Sequence, residues 1–196
     1  MNKKLVAALS GGAVLLMALS GCSGDDSNSR VNDWAKKVCD QVQPELTKIA
    51  GANTSIQQAT SDSSKPAAVQ ETDSAAFQSI SGAYKALGSA VDSAGAPPVT
   101  EGEKTQQEAV KELNSTAASY ADLKSKVDAL DTKDQAKFAD GLKGVADELD
   151  KLSKSGDQAL QKLQSGDVGK AMAKQTGCQK PPQSAGGAAA TPSAGS

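Results

Sequence analysis

The sequence predicts an all-α protein, an up-down four-helix bundle with a short C-terminal helix and a disordered C-terminal tail. Two observations predict this fold. Apolar residues recur at steps of three and four in four separate segments, as on one face of an amphipathic helix, and no segment alternates as a strand would. The connections between the four segments are short or moderate, which is typical of up-down bundles. We therefore expect the bundle to occupy residues 29–179 of the 196.

The first two apolar runs predict long helices. Asn28 or Ser29 is expected to cap the first helix. Pro44 lies inside that run and is expected to kink the helix or to start a new one, because proline lacks the amide hydrogen. The second run is the most regular, and Pro97 and Pro98 follow its end. The apolar positions of the two runs are Val31, Ala35, Val38, Val42, Leu46, Ile49 and Ile56, then Phe77, Ile80, Tyr84, Leu87, Val91 and Ala94.

The third and fourth runs each begin with a candidate capping box. Thr100 with Glu103 and Thr132 with Gln135 have the spacing at which two side chains satisfy each other's backbone amides. Asp167 is expected to cap a short last helix. The apolar positions are Val110, Leu113, Ala117, Tyr120, Leu123, Val127 and Leu130, then Phe138, Leu142, Val145, Leu149, Leu152, Ala159 and Leu163.

The N-terminal segment predicts a targeting signal. Lys3 and Lys4 precede an apolar stretch at residues 5–19, which is shorter than the roughly 20 apolar residues that span a bilayer. Its last residue begins the sequence Leu-Ser-Gly-Cys at positions 19–22, which resembles the lipobox of bacterial lipoproteins. That resemblance implies that residues 1–21 are a lipoprotein signal peptide and that Cys22 becomes the lipidated N-terminus. We therefore expect an extracytoplasmic protein anchored to the bacterial cell membrane.

Two polar segments flank the predicted bundle. Residues 22–28 are rich in Ser, Gly and Asp and are expected to form a flexible tether. Residues 180–196 contain no large apolar side chain and are expected to be a disordered tail. The whole organisation is similar to that of small secreted lipoproteins of actinobacteria, with a lipobox, an Ala-rich helical body, one early and one late cysteine, and a Pro/Ala/Gly tail. This resemblance implies a location and a helical fold, and it implies no activity.

Cys39 and Cys178 are predicted to form a disulfide. In an up-down bundle the start of the first helix and the end of the fourth lie at the same end, so the two residues can meet. Disulfides persist outside the cytoplasm. The alternative is a pair of free, redox-active thiols, which is disfavoured because neither residue belongs to a Cys-x-x-Cys motif or has a neighbouring histidine.

The composition argues against the common catalytic and metal sites. The chain has no histidine, which removes Ser-His and Cys-His nucleophiles and most zinc or copper sites. We expect no catalytic residues, no cofactor and no metal. Asp147, Glu148 and Asp150 form the densest acidic cluster of the helical part, but Asp147 and Asp150 each have a lysine four residues later, which indicates a solvated face. The aromatic residues lie on or beside the apolar seams and are expected to be core residues.

Charge argues against nucleic-acid binding. Without the two signal-peptide lysines the chain has 19 basic and 23 acidic residues, a net charge of −4. The lysines are interleaved with Asp and Glu, so no basic block is available to follow phosphates.

Two functions remain open. The first is a non-enzymatic interaction or structural module of the cell envelope, with the membrane bound through lipid on Cys22 and an envelope protein as partner. The second is a carrier that holds a small apolar ligand between the helices. The two differ in whether the bundle interior is filled or hollow.

Overall fold

The computed structural model describes residues 23–59, 65–155 and 163–179. These residues form helices, and no strand occurs within the three ranges. The predicted all-α fold class is confirmed. The helices are α1 (Ser23–Ala59), α2 (Pro66–Ala94), α3 (Gly102–Asp128), α4 (Gln135–Ser155) and α5 (Gly166–Ala173), and α5 is followed by a 3₁₀-helix at Thr176–Cys178.

The helices enclose two apolar clusters, one toward each end of the molecule. The first cluster joins the N-terminal half of α1, the C-terminal half of α2, the start of α3 and α5. The second joins the C-terminal half of α1, the N-terminal half of α2, the end of α3, and α4. This distribution shows that α2 runs antiparallel to α1 and to α3. The fully buried side chains of the core include Val38, Ile80 and Val127.

The packing order follows the chain. Within the described ranges α1 packs along α2, α2 along α3, and α3 along α4, while α5 and the 3₁₀-helix pack on α1. Among the described residues, α1 and α4 share the second apolar cluster but do not pack along each other. The described residues therefore form a helical bundle in which α2 is central.

Helix α1 begins earlier than the sequence predicted, and it continues through its proline. Residues 23–28, predicted to be part of a flexible tether, belong to the first turns of the helix, so neither Asn28 nor Ser29 is its N-cap. Acidic residues near a helix N-terminus interact favourably with its dipole, and Asp26 occupies that position. Pro44 is exposed inside the uninterrupted helix and does not start a new one.

The predicted capping residues are wrong at three helix starts. Helix α3 begins after Glu101, which has a φ of 59°, and no side chain caps it. The N-terminus of α4 is capped by Asp134, whose Oδ1 accepts hydrogen bonds from the amides of Ala136 and Lys137, each at 3.1 Å. Ser165 rather than Asp167 precedes α5.

The physical reasons for these shifts are local. A Cβ atom on Gly102 would lie 2.0 Å from the carbonyl oxygen of Pro97, so only glycine fits where the α2–α3 connection folds back on itself. Asp134 and Thr132 are both good N-caps, and the carboxylate lies closer to the first helical amides. The Lys137 amide, as its hydrogen-bond donor, holds the pKa of Asp134 below its ordinary value.

Two polar side chains of α2 fix its register on α3. Gln70 Nε2 donates to the carbonyl oxygens of Val127 at 2.8 Å and Leu130 at 3.0 Å. Ser81 Oγ donates to the carbonyl oxygen of Ala117 at 2.7 Å. The last carbonyls of a helix lack some of their partners within that helix, and Gln70 supplies a side-chain donor to this end of α3. The Val127 carbonyl also accepts from the amide of Leu130 at 3.1 Å.

Candidate functional site

The disulfide lies in the N-terminal half of α1, beside the first apolar cluster. Cys39 is fully buried on α1, and Cys178 is the last residue of the 3₁₀-helix. The two residues are bridged, with their Cα atoms 4.9 Å apart across a separation of 139 positions. The predicted pairing is confirmed. The bridge closes a long loop that contains α2, α3, α4 and α5.

A second connection beside the first apolar cluster joins α1 to the end of α2. Trp34 Nε1 donates to the carbonyl oxygen of Gly95 at 2.8 Å, and Lys37 Nζ donates to that of Ser93 at 3.0 Å. Both carbonyls lie at the C-terminus of α2, where intrahelical donors are lacking. Trp34, predicted to be beside the seam, is buried in the first cluster.

The other aromatic side chains pack between helices. Tyr84 and Tyr120 stack with ring centroids 5.6 Å apart, and Phe77 lies 6.0 Å from Tyr120. Burial, together with the neighbouring Tyr84, raises the pKa of Tyr120 to about 12. Phe77 and Phe138 are buried and the two tyrosines are half-buried. These rings belong to the core, as the sequence predicted.

One member of the predicted acidic cluster links two helices. Glu148 on α4 forms an ion pair with Lys126 on α3. No ion pair forms between Asp147 and Lys151 in the described part of the chain, although the sequence predicted one. The predicted partner of Asp150, Lys154, lies outside the described side chains.

A groove runs between α3 and α4, beside the Lys126–Glu148 ion pair; we call it the α3–α4 groove. It is open to solvent and has a volume of about 360 Å³. Leu123 is buried at its floor, and Leu152 is half-buried beside it. The residues that line it are Ser119, Asp122, Leu123, Lys126, Glu148, Lys151 and Leu152. The sequence did not predict this groove, because its walls come from two helices whose mutual rotation is set by packing.

A second groove lies at the end of the bundle where α1 begins; we call it the end groove. It has a volume of about 440 Å³ and is also open to solvent. Helix α1, the α2–α3 connection and the start of α5 line it with Ser27, Asn28, Arg30, Val31, Pro98, Val99, Thr100 and Asp167. Both grooves mix charged and apolar side chains.

Asp73 is a buried carboxyl group that the sequence analysis missed. It lies on α2, is 4% exposed, and its Oδ1 has no hydrogen-bond partner. Burial raises its pKa to about 6, because desolvation disfavours the charged form. The spacing could have predicted its burial, since Asp73 lies four residues after the buried Val69 and four before the buried Phe77, on the same face of α2.

Other site predictions concern residues or groups that the structure does not describe. Cys22, the predicted lipidation site, lies outside the described ranges, as do residues 1–21 and 180–196. Among the described residues, no group of three or more Cys, Asp or Glu side chains is arranged to hold a metal ion. No described helix is both long enough and apolar enough to cross a membrane.

The described ranges thus form an all-helical bundle closed by one disulfide, with two open grooves of mixed character. No protein-family model, no curated protein and no solved structure matches the chain.

Proposed function

We propose that this protein is a lipid-anchored, extracytoplasmic module that binds a protein partner and performs no covalent chemistry. Two features support the location. The residues at positions 19–22 resemble a lipobox, and the Cys39–Cys178 disulfide suits an oxidising compartment outside the cytoplasm. Lipid on Cys22 holds the bundle at the cell membrane, where its partner is also confined.

The α3–α4 groove is the proposed binding site for the partner protein. Asp122 and Lys151 line its two walls as opposite charges, and neither forms an ion pair with another described residue. Leu123 and Leu152 supply an apolar floor between them. A protein surface that presents an apolar side chain flanked by a base and an acid complements this arrangement. The apolar contact supplies affinity and the charges set the orientation.

Because of the lipid anchor, a weak contact between the α3–α4 groove and its partner protein is sufficient for binding. Two proteins held at one membrane surface meet at a high effective concentration, so a small interface is occupied without tight binding in solution. The groove fits this requirement, because it is open and has charged side chains on both walls.

The proposal includes an up-down chain path for all four long helices. Helix α4 packs on the end of α3, and Leu163 and α5 belong to the cluster around the start of α1. These two points lie in clusters toward opposite ends of the bundle. This placement supports the four-helix arrangement predicted from the sequence.

The anchor is tested by labelling cells with a radioactive fatty acid. The native protein should carry the label and sediment with membranes, whereas Cys22→Ala should lose both properties. Unchanged labelling of the Cys22→Ala protein would contradict the proposed anchor. Asn2→Ala, a substitution in the signal segment outside positions 19–22, is the matched control and should be labelled normally.

Partner binding is tested with a photo-crosslinking amino acid at position 119, which lines the α3–α4 groove. In intact cells the native protein should give a discrete protein adduct that Lys151→Glu abolishes by reversing one wall charge. Lys143→Glu is the control, since it makes the same charge change on α4 away from the groove. An adduct that is equal in both variants would contradict the groove as the binding site.

The carrier function predicts a different result. Protein purified from its host would then contain an apolar small molecule in near-stoichiometric amount, detectable by mass spectrometry of a solvent extract. That finding, together with no protein adduct, would replace the interaction function by the carrier function.

A further inference from the structure

Arg30 is the only arginine of the chain, among 21 basic residues. It is exposed, it lines the end groove, and it forms no ion pair with any described residue. Guanidinium groups bind phosphate through two parallel hydrogen bonds, a geometry that an ammonium group cannot reproduce. The end groove therefore presents an available phosphate-binding side chain.

The position of Arg30 along α1 places it near the proposed anchor. Helix α1 begins at Ser23, so helix rather than a flexible tether connects Arg30 to the residue that follows Cys22. Seven residues at 1.5 Å each put the Cα atom of Arg30 about 10 Å from that of Ser23 along the helix axis. Long helical side chains point toward the N-terminus, which brings the guanidinium about one turn closer.

The remaining axial distance, about 5 Å from Ser23 to the guanidinium, is comparable to the thickness of the lipid headgroup layer. The polar region of each leaflet is about 5–7 Å deep outside the hydrocarbon core. A lipid on Cys22 keeps the start of α1 near this layer but leaves the bundle free to tilt, so the end groove can reach the headgroups and contact with them sets the orientation. Val31, Pro98 and Val99 give the groove an apolar part, and Pro98 and Val99 are half-buried.

We propose that the end groove binds a zwitterionic phospholipid headgroup, with the phosphate on the guanidinium of Arg30. This proposal rests on the proposed lipidation of Cys22 for its location. Asp167 lines the same groove and Asp26 lies one turn before Arg30, so carboxylates are available for the headgroup's cationic nitrogen. Asp167 also forms an exposed ion pair with Lys170. The same carboxylates disfavour a purely anionic headgroup.

The binding orients the whole bundle. The end groove faces the bilayer, and the α3–α4 connection points away from it at the far end of α3. Since α3 has 27 residues, the two ends are separated by about 40 Å. Orientation is therefore a measurable consequence of headgroup binding.

The test uses a fluorescent coumarin amino acid at one of two exposed positions, Ala96 in the α2–α3 connection or Lys133 near the start of α4. The native lipidated protein is reconstituted in vesicles of phosphatidylcholine and phosphatidylethanolamine that contain a nitroxide-headgroup lipid. Quenching should be strong at position 96 and absent at position 133. Arg30→Gln should reduce quenching at position 96 by about half or more, because the charge-assisted hydrogen bonds are lost.

The control variant is Lys85→Gln, which removes one exposed positive charge from the middle of α2 and should leave the quenching unchanged. A thermal melt of each variant checks that it is folded. Equal quenching at positions 96 and 133, or quenching at position 96 that Arg30→Gln does not alter, would overturn headgroup binding.

A wrong lipidation proposal can be distinguished from a wrong headgroup-binding proposal. If the native protein does not sediment with membranes, the proposed lipidation is wrong. The quenching test is then run with the chain from residue 22 onward coupled through the Cys22 thiol to a maleimide lipid, since Cys39 and Cys178 are bridged. In that arm the same two outcomes decide whether the end groove binds the headgroup.

Discussion

The backbone of Gly177 lies directly against the carbonyl group of Cys39. A Cβ atom at position 177 would be 2.4 Å from the carbonyl oxygen of Cys39 and 2.8 Å from its carbonyl carbon. Gly177 is buried, and the next residue is Cys178. The close approach of these two backbones therefore forms part of the geometry that brings the two sulfur atoms together.

Gly177→Ala should destabilise the protein by about 1–3 kcal/mol, because a backbone carbonyl cannot move aside as a flexible side chain can. Denaturant unfolding of the oxidised protein measures the change. Gly82→Ala is the matched control: Gly82 is exposed inside α2, a Cβ there meets nothing within 4 Å, and the substitution should stabilise by about 1 kcal/mol. Gly177→Ala with native stability would contradict the close approach.

Removing the disulfide should have a larger effect. In the chain-entropy model a bridge across 139 positions stabilises by up to about 5 kcal/mol. The double variant Cys39→Ala/Cys178→Ala should lose most of this stability in denaturant unfolding. Intact-mass analysis of the Cys22→Ala protein under denaturing, non-reducing conditions should find no thiol that can be alkylated. Two alkylated thiols would contradict the bridge in the native protein.

Asp73 should make stability depend on pH. Its folded pKa of about 6 lies above the ordinary value of 3.8, so the folded state binds the proton more tightly than the unfolded state. The resulting stabilisation is fully present below about pH 4 and is lost as the pH rises through about 6, a fall of up to about 3 kcal/mol.

The variant Asp73→Asn should remove this fall and should be more stable than the native protein at neutral pH. Urea unfolding at a series of pH values from acid to neutral measures both effects. Glu71→Gln, an exposed position on the same helix, is the control and should keep the native pH dependence. A native-like pH profile for Asp73→Asn would show that another group is responsible.

Gln70→Ala should destabilise by about 1–2 kcal/mol, because the carbonyls at the end of α3 lose a side-chain donor. The structure shows Gln70 Nε2 bound to three of these carbonyls, those of Val127, Asp128 and Leu130. Gln78→Ala removes the same side chain from the exposed face of α2 and should change stability little. Equal effects of the two substitutions would exclude a specific role for the Gln70 amide.

Helical periodicity predicted the core of α1, α2 and α3 because these helices pack through continuous seams. Ile80, Leu113 and Val127, for example, are buried at the positions that the spacing indicated. The cysteine pairing was also predicted correctly, although Cys39 is the 17th of the 37 residues of α1 and does not lie in its first turns. The helical spacing of apolar residues is sufficient to predict the core, because no other pattern in these segments competes with it.

The caps and grooves could not be predicted in the same way. Thr132 and Asp134 can each cap α4, and a shift of two residues decides between them. The start of α3 is set by the contact of Gly102 with Pro97, which is a property of the folded loop. The α3–α4 groove depends on how far α4 lies from α3, and the buried state of Asp73 depends on how the helices around α2 pack. These features arise from tertiary packing, which the sequence pattern specifies only indirectly.

The bridge between Cys39 and Cys178 also determines how the molecule carries mechanical load. A pull applied between the N-terminus and the C-terminal tail passes from α1 directly through the sulfur–sulfur bond to residue 178. Helices α2, α3 and α4 lie within the closed loop and outside this path. Tension between the two termini would therefore leave the fold of these three helices intact, and the α3–α4 groove would keep its shape while the protein is stretched.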